Sequence, residues 1–208
     1  MLTSSHCAAR PLFALLLHTR SYLDEGLAWA DKLCSLQSNV TSAAGSPAGF
    51  WPDEIYIADT GTGVTALAYA VHAANTDWRR ARYRDVLQRY ASWVLEGSNE
   101  PPGKDTYGRE IGSEPHPYSW VIPTGPDKGS MGDGYWNGTL NDSPYTISTA
   151  TTGGAFFAEM YALTGNTTYR DVAVGATAWL LKYRAANGAN VYRFNTPGPC
   201  VISSHPCR

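Results

Sequence analysis

The sequence predicts an all-α fold of antiparallel αα-hairpins that stack side by side, interrupted by one long irregular loop. The first observation is an internal repeat, because the stretch from Tyr56 and the stretch from Tyr145 share residues at an offset of 89 positions. The second is the helical spacing of apolar side chains in both copies. Self-similarity at a fixed period is typical of stacked units that bury their apolar faces against one another.

The repeat covers two helices in each copy. After a three-residue length difference, the motif YRDV at 83–86 recurs at 169–172, and Trp93 recurs as Trp179. Short polar connections within each copy leave room only for an antiparallel neighbour. The sequence therefore predicts hairpins at about 60–96 and 149–185. The identities in the first helix of each copy are Tyr56, Thr60, Thr62, Ala66 and Ala73, and then Tyr145, Thr149, Thr151, Ala155 and Ala162.

A further hairpin is predicted at about 8–36, ahead of the two repeat copies. Its helices would run over 8–19 and 22–36, because Ser21 and Asp24 have the spacing of a capping box. In an antiparallel pair, the start of the first helix lies beside the end of the second. The three hairpins together predict one helical domain.

Two segments lack helical periodicity. Residues 38–58 link the first hairpin to the second, and residues 97–144 form a much longer segment that is rich in Gly, Pro and aromatic residues. Loops of this length in compact domains are usually functional or disordered, and the aromatic content favours order. We expect one or two short β-hairpins here, lying over one end of the helices. A tail at 186–208 completes the single domain 1–208.

The four cysteines lack the C-x-x-C spacing of a zinc site, and the sequence predicts neither a metal nor a cofactor. An even count permits three disulfide connectivities. Chain position favours Cys7–Cys34, if the first hairpin forms, and Cys200–Cys207 within the tail.

Sequons for N-glycosylation occur at Asn39, Asn137 and Asn166, with a weaker one at Asn141 that is followed by Pro144. Together with the paired cysteines, they predict a secreted or extracellular glycoprotein. The first twenty residues lack an Ala-x-Ala cleavage site, so we expect a structural helix there rather than a signal peptide.

Bulk composition excludes several partner classes. The net charge of −2 argues against nucleic acid as a partner. No run approaches 18 apolar residues, so no membrane span is predicted. Seven Trp and thirteen Tyr suit a large core, a cleft that stacks on sugars, or both.

The hairpins resemble those of the six-hairpin (α/α)-barrel carbohydrate-active superfamily, which includes unsaturated glucuronyl hydrolases and several polysaccharide lyases. The resemblance rests on the stretches ADTGTGVTALAYAVHAAN, YRDVLQRYASWVL and ATTGGAFFAEMYALTGNTTYRDVAVGATAWLL. It implies a cleft lined by carboxylates and aromatic rings at the end where the inner helices begin. Three hairpins are half of six, so the fold expected is a partial α/α toroid.

The candidate catalytic residues are Asp59 and Asp133. Asp59 stands at the predicted start of the helix near Gly61, where a simple N-cap is the alternative interpretation. Asp133 lies between glycines in the long loop, where a turn-forming role is the alternative. Hydrolysis of a glycosidic bond requires two such carboxyl groups, one acting as acid and the other as base or nucleophile.

Aromatic and histidine side chains near these positions are the candidate substrate-binding residues. Aromatic faces can cover the apolar faces of sugar rings. A lyase would instead require a base and a charge neutraliser, for which His116, Tyr118 and Arg109 are candidates. The residues predicted to bind substrate are Trp136, Tyr135, Trp120, His116 and Trp51.

Two functions from different classes remain open at this point. The first is a secreted glycoside hydrolase or lyase that acts on an acidic or algal or plant-type polysaccharide. The second is a non-catalytic extracellular glycoprotein that binds carbohydrate or assembles through its helical repeats. The partners expected are a polysaccharide or oligosaccharide, a second copy of the chain, or a missing second half of the barrel.

Overall fold

The computed structural model of the protein describes residues 10–53, 55–136 and 138–183. The α-helices are α1 (Arg10–Ser35), α2 (Ile57–Ala73), α3 (Asp77–Glu96), α4 (Thr146–Ser148), α5 (Phe157–Thr164) and α6 (Thr167–Lys182), with a π-helical segment (Thr149–Phe156) between α4 and α5. The strands are β1 (Ser38–Thr41), β2 (Pro47–Phe50), β3 (Gly103–Lys104), β4 (Glu110–Gly112), β5 (Gly134–Trp136) and β6 (Thr139–Asn141). The prediction of a mostly helical fold is confirmed.

The hairpin predicted at 8–36 is wrong, because α1 runs without a break from Arg10 to Ser35. No Gly or Pro interrupts the chain near Ser21, so the helix continues through the position that resembled a capping box. A helix of 26 residues rises about 39 Å and does not return to its start. The geometric reason for pairing Cys7 with Cys34 is therefore lost.

The cysteine predictions lie largely outside the described residues. Cys34 is buried on α1, among the residues of the hydrophobic core. Burial raises the pKa of its thiol to about 11, so the thiol is protonated and unreactive at neutral pH. The partners predicted for the two disulfides, Cys7, Cys200 and Cys207, fall in segments that the structure does not describe, and the pairings stay predictions.

The two repeat copies begin at equivalent positions. Helix α2 starts at Ile57 and α4 starts at Thr146, 89 residues later, which is the repeat offset. Residues 74–76 connect α2 to α3, and residues 165–166 connect α5 to α6. Connections this short place the two helices of each copy side by side and antiparallel.

Helix α2 and the π-helical segment pack closely against each other. Thr151 Oγ1 donates to the carbonyl of Ala58 at 2.9 Å, and Thr152 Oγ1 donates to the carbonyl of Ile57 at 2.9 Å. Gly61 makes this approach possible, because a Cβ at that position would overlap both threonine hydroxyls. The first turn of α2 is thereby fixed against the second copy of the repeat.

Aromatic rings form a continuous core between the helices and the long loop. Trp93 on α3 is the central ring, with centroids 5.5 Å from Phe50, 6.0 Å from Tyr90 and 5.4 Å from Trp120. Tyr90 continues the chain of contacts to Phe156 in the π-helical segment at 5.4 Å. The high aromatic content of the sequence is thus used largely for packing.

The loop 97–144 is ordered where the structure describes it, and it contains the hairpins β3–β4 and β5–β6. Its backbone pairs with the end of α3 through Trp120 N–H, which donates to the Val94 carbonyl at 2.9 Å. It also pairs with the start of α2 through the Asp133 carbonyl, which accepts from Ile57 N–H at 2.8 Å. The loop therefore covers the end of the bundle where α2 begins. The antiparallel hairpin β1–β2 in the preceding link was not predicted.

Candidate functional site

Asp133 supplies the cap for the start of α2. The residue before the helix, Tyr56, makes no capping hydrogen bond with its side chain. The main-chain carbonyl of Asp133 accepts from Ile57 N–H, and its carboxylate accepts from Ala58 N–H. Two of the first helical N–H groups, which lack partners within the helix, are thereby satisfied by a residue 75 and 76 positions further along the chain.

The carboxylate of Asp133 is buried, with 6% of the residue exposed. Burial raises its pKa, although hydrogen bonds from Ser148 Oγ at 2.8 Å and from Ala58 N–H act in the opposite direction. The negative charge of Asp59 raises the pKa further. Asp133 is therefore protonated more readily than an exposed aspartate.

Asp59 does not cap α2, because the helix already begins at Ile57 and Asp59 is its third residue. Its side chain is exposed at the surface, where a carboxylate near a helix N-terminus is stabilised by the helix dipole. The structure therefore gives the capping role to Asp133 and leaves Asp59 accessible.

A polar cavity of about 330 Å³ opens between the β3–β4 hairpin and the segment that leads into α2. It lies at the end of the bundle where the sequence predicts a cleft. Its lining combines carboxylates, a guanidinium group, two tyrosine rings and apolar side chains. The lining residues are Pro52, Asp53, Ile55, Tyr56, Asp105, Arg109, Glu110, Ile111 and Tyr135.

The charged groups of the cavity are held in different ways. Asp53 accepts from Thr106 N–H at 2.8 Å and from Thr106 Oγ1 at 2.6 Å, which ties the helix entry to the β3–β4 hairpin. Asp105 forms an ion pair with Arg109. Burial alone would raise the pKa of Asp105, but hydrogen bonds from Arg109 and Tyr107 outweigh it and lower that pKa. Glu110 is an exposed carboxylate on the same wall.

Tyr135 is the predicted sugar-binding residue that lines this cavity. Its hydroxyl donates to the Glu114 carbonyl at 2.8 Å, and burial raises its pKa to about 12. The ring fits directly over Gly112, where any Cβ would overlap it. Only 3% of Tyr135 is exposed, so little of its ring is accessible from the cavity.

A second, smaller cavity of about 170 Å³ adjoins the first, and Pro52 and Asp53 line both. Trp51 and Asp59 belong to its lining. Trp51 is buried, and its Nε1 donates to the Leu33 carbonyl at 2.8 Å, which anchors the ring to α1. Asp59 thus stands beside a mainly apolar recess rather than opposite the acids of the larger cavity.

His116 and Trp120 stack on each other beneath the surface, with ring centroids 3.8 Å apart. Both are buried, and His116 Nδ1 and Trp120 Nε1 have no hydrogen-bond partner among the described residues. Burial lowers the pKa of His116, so the imidazole is neutral at pH 7. Neither ring lines the polar cavity, and stacking on a sugar would require them to leave the core.

The other residues predicted to bind or react with a substrate lie in different parts of the structure. Trp136 lies on β5, where it pairs with Thr139 of β6. The exposed ring of Tyr118 contacts the edge of His116, whereas Arg109 lies on the wall of the polar cavity. The three groups considered for lyase chemistry are therefore split between the aromatic core, the surface and the cavity.

Two of the predicted glycosylation sites are accessible. Asn39 on β1 is exposed, and its Oδ1 accepts from Arg89 at 3.0 Å. Asn166 caps α6 through its Oδ1, which accepts from Thr168 N–H at 3.0 Å. Attachment of a glycan at Nδ2 would leave that cap intact. Asn137 lies outside the described residues.

Asp53, Asp105 and Glu110 line the cavity, although none of them is among the site residues predicted from the sequence. The signal that could have placed two of them is the segment DTYGR at 105–109, which has the composition of a hairpin turn. In the structure, Asp105 Oδ1 accepts from the N–H groups of Tyr107 and Arg109 across this turn.

Within residues 10–53, 55–136 and 138–183, no group of three or more acidic, histidine or cysteine side chains is arranged to hold a metal ion. No described helix combines the length and apolar character that crossing a membrane requires. Comparison with family models, with curated proteins and with solved structures gives no match, so any function assigned to this chain rests on the chemistry of its own residues.

Proposed function

We propose that this chain is a carbohydrate-binding protein that holds a saccharide in the polar cavity beside the start of α2. The observation that carries the proposal is the lining itself, which sets Asp53, Glu110 and Arg109 among the rings of Tyr56 and Tyr135. Carboxylates and guanidinium groups bind sugar hydroxyls, while aromatic and aliphatic groups cover the apolar parts of the ring. The resemblance of the repeats to six-hairpin carbohydrate-active proteins supports the same ligand class.

The charge of the cavity favours a neutral or amino sugar over a uronate. Arg109, the one basic residue in the lining, pairs with Asp105 and also interacts with Asp53. Three carboxylates and one guanidinium group leave a net charge of −2, carried by Asp53 and Glu110. An anionic sugar would be repelled by these two carboxylates, whereas a protonated amino group would pair with them. A uronate-containing polysaccharide, the substrate expected from the resemblance, is therefore a poor fit.

A panel of oligosaccharides tests this proposal. Neutral, amino and uronic oligosaccharides of equal length would be titrated into the wild-type protein and into Glu110→Gln, which removes charge while conserving shape. We expect binding of neutral or amino members, with the amino sugars weakened most in the variant. Absence of binding to every member, or a preference for uronates that the variant leaves unchanged, would contradict the proposal.

Hydrolysis is a second candidate function, favoured by the raised pKa of Asp133 and by the accessible carboxylate of Asp59 nearby. Asp133 is buried and lines neither cavity, so this scheme requires an opening of the long loop that brings the leaving oxygen to it. Asp133 would then protonate that oxygen while Asp59 activates water or attacks the sugar. Asp133→Asn should abolish release of reducing ends while the saccharide still binds. Equal turnover by the wild type and Asp133→Asn would exclude this scheme, and absence of turnover by the wild type would leave binding alone.

We propose in addition that the protein is secreted and glycosylated. The exposure of Asn39 and Asn166 supports this, since the glycosyl-transfer machinery requires an accessible asparagine. Peptide mass spectrometry of protein isolated from its native source would show glycan on at least one of them. Unmodified asparagine at both positions would contradict this part of the proposal.

A further inference from the structure

The smaller cavity beside α2, here called the apolar recess, has walls that come from three parts of the chain. Leu33 and Leu36 come from α1 and the residue after it, and Trp51 comes from the link into α2. Gly63 and Val64 come from α2 itself. Trp51 and Val64 are buried, whereas Leu36 is 41% exposed. The recess is therefore an apolar hollow that opens to the surface beside Leu36.

The polar groups at the recess suit an apolar occupant better than a second sugar ring. Trp51 Nε1 already donates to the Leu33 carbonyl, and the carboxylate of Asp53 already accepts from Thr106. Asp59 is exposed, so its carboxylate remains in water at the rim. A sugar ring has a hydroxyl group on most of its carbons, and each one that loses water without gaining a partner costs free energy.

The size of the recess fits a group as large as a benzene ring. Its volume is about 170 Å³, roughly half of the 330 Å³ of the polar cavity. Apolar cavities of about 150 Å³ stay dry and bind benzene. A ring of this size in the recess would lie among apolar side chains, and its removal from water would favour binding.

The recess meets the polar cavity at Pro52 and Asp53, which line both. Asp53 is exposed, so a ligand can cross this shared boundary without displacing a buried side chain. A saccharide that lies against Asp53 in the polar cavity has the recess on the other side of the same residue. One molecule with a polar half and an apolar half therefore fits the two cavities together.

We propose that the apolar recess holds the phenyl-sized aglycone of a glycoside whose sugar lies in the polar cavity. This inference rests on the carbohydrate binding proposed above, and it names aryl glycosides as the class of carbohydrate that binds best. Polar groups fix the orientation of the sugar, and burial of the aryl ring adds affinity.

A glycine in the wall allows the recess to be filled from within the protein. A Cβ at Gly63 meets Leu33 Cδ2 at 3.9 Å, which is an ordinary van der Waals contact, so Gly63→Leu should extend into the recess. Gly26→Leu is the matched control, because Gly26 lies in α1 and has no described atom within 4 Å of a new Cβ. Neither glycine lines the polar cavity. Leu in place of Gly favours a helix, so both variants should fold.

The experiment compares the methyl and phenyl glycosides of glucose and of glucosamine by calorimetric titration of the full chain. The wild type and Gly26→Leu should bind the phenyl glycoside about tenfold more tightly than the methyl glycoside of the same sugar. Gly63→Leu should bind both with the affinity that the wild type has for the methyl glycoside. Leu36→Ser, at the exposed mouth, should reduce the advantage of the phenyl glycoside and serves if Gly63→Leu does not fold.

Fluorine NMR of 4-fluorophenol tests the recess without a sugar, and we expect binding to the wild type that Gly63→Leu abolishes. Equal affinity of the wild type for the methyl and phenyl glycosides would overturn the inference and leave carbohydrate binding intact. An advantage of the phenyl glycoside that Gly63→Leu retains would overturn it as well. Binding of 4-fluorophenol without binding of any glycoside would refute the carbohydrate proposal, and with it the glycoside in this inference, and leave only an apolar site.

Discussion

Ser148 Oγ donates a hydrogen bond to Asp133 Oδ1 at 2.8 Å, inside the protein and at the start of both repeat copies. Ser148 occupies in the second copy the position that Asp59 occupies in the first, 89 residues earlier. One copy therefore carries an exposed acid at this position, and the other carries a hydroxyl that binds the acid of the long loop. The hydrogen bond between Ser148 and Asp133 fixes the long loop over the helix starts.

The first prediction concerns stability. Asp133→Ala leaves Ala58 N–H and Ser148 Oγ without their acceptor in a buried place, so it should lower the free energy of unfolding by about 1–3 kcal/mol. Asp133→Asn keeps an oxygen acceptor and should cost less. Urea denaturation measures both values. Equal stability of the wild type and Asp133→Ala would show that the cap contributes nothing.

The second prediction is a pH dependence with a defined sign. Burial raises the pKa of Asp133 in the folded state, so the folded protein binds this proton more tightly than the unfolded chain does. The resulting stability is complete below the ordinary Asp pKa, near 3.9, and is lost as the pH rises through the raised value.

The neutral variant Asp133→Asn isolates this effect, because it cannot titrate. The difference in unfolding free energy, wild type minus variant, should fall as the pH increases from about 4 and should level off once Asp133 is ionised. Urea titrations from pH 3 to about 7 give the curve. A difference that grows with pH would mean that the hydrogen bonds from Ser148 and Ala58 lower the pKa of Asp133 more than burial raises it.

The third prediction compares two glycines in helices. Gly61→Ala places a methyl group where the hydroxyls of Thr151 and Thr152 lie, so overpacking should cost about 1–3 kcal/mol despite the better helix propensity of Ala. Gly26→Ala in α1 has no atom within 4 Å of the new Cβ and should stabilise the protein by up to about 1 kcal/mol. Thermal unfolding of both variants makes the comparison. We expect Gly61→Ala to lower the stability and Gly26→Ala to raise it. Equal gains in stability would disprove the close contact at Gly61.

The repeat could be predicted from the sequence because each copy imposes local requirements. Tyr56 and Tyr145 both stand one residue before a helix, and the offset of 89 residues locates both starts. The break at Ser21 was predicted wrongly because a capping-box spacing is a local pattern. Such a pattern cannot begin a helix when the residues before it are helical as well.

The candidate site was only partly predictable, because its contacts join residues that are distant in the chain. Nothing local to Asp133 reveals that it caps a helix that begins 76 residues earlier. The burial of Trp120 and His116 likewise depends on the packing of the long loop against α3, which composition alone does not give. The sequence pointed to the end of the bundle where the polar cavity lies and to Tyr135 in its lining, but it could not distinguish packed rings from accessible ones.

The fourth prediction follows from the geometry of the cavity walls. Asp53→Ala removes one of the two carboxylates available to a ligand and should weaken binding of an amino sugar about tenfold, or about 1.4 kcal/mol. Asp77→Ala is the matched control, since Asp77 begins α3 at the opposite end of the bundle and is exposed. Calorimetric titration of both variants gives the two affinities. Equal weakening by the control would assign the effect to net charge rather than to the cavity.

The most direct measurement for the central claim is a structure of the protein with an oligosaccharide that binds in the panel titration. The account predicts a sugar ring in the cavity between the β3–β4 hairpin and the start of α2, with hydroxyl or amino groups within hydrogen-bond distance of Asp53 and Glu110. A sugar bound elsewhere on the molecule, with this cavity empty, would contradict the account.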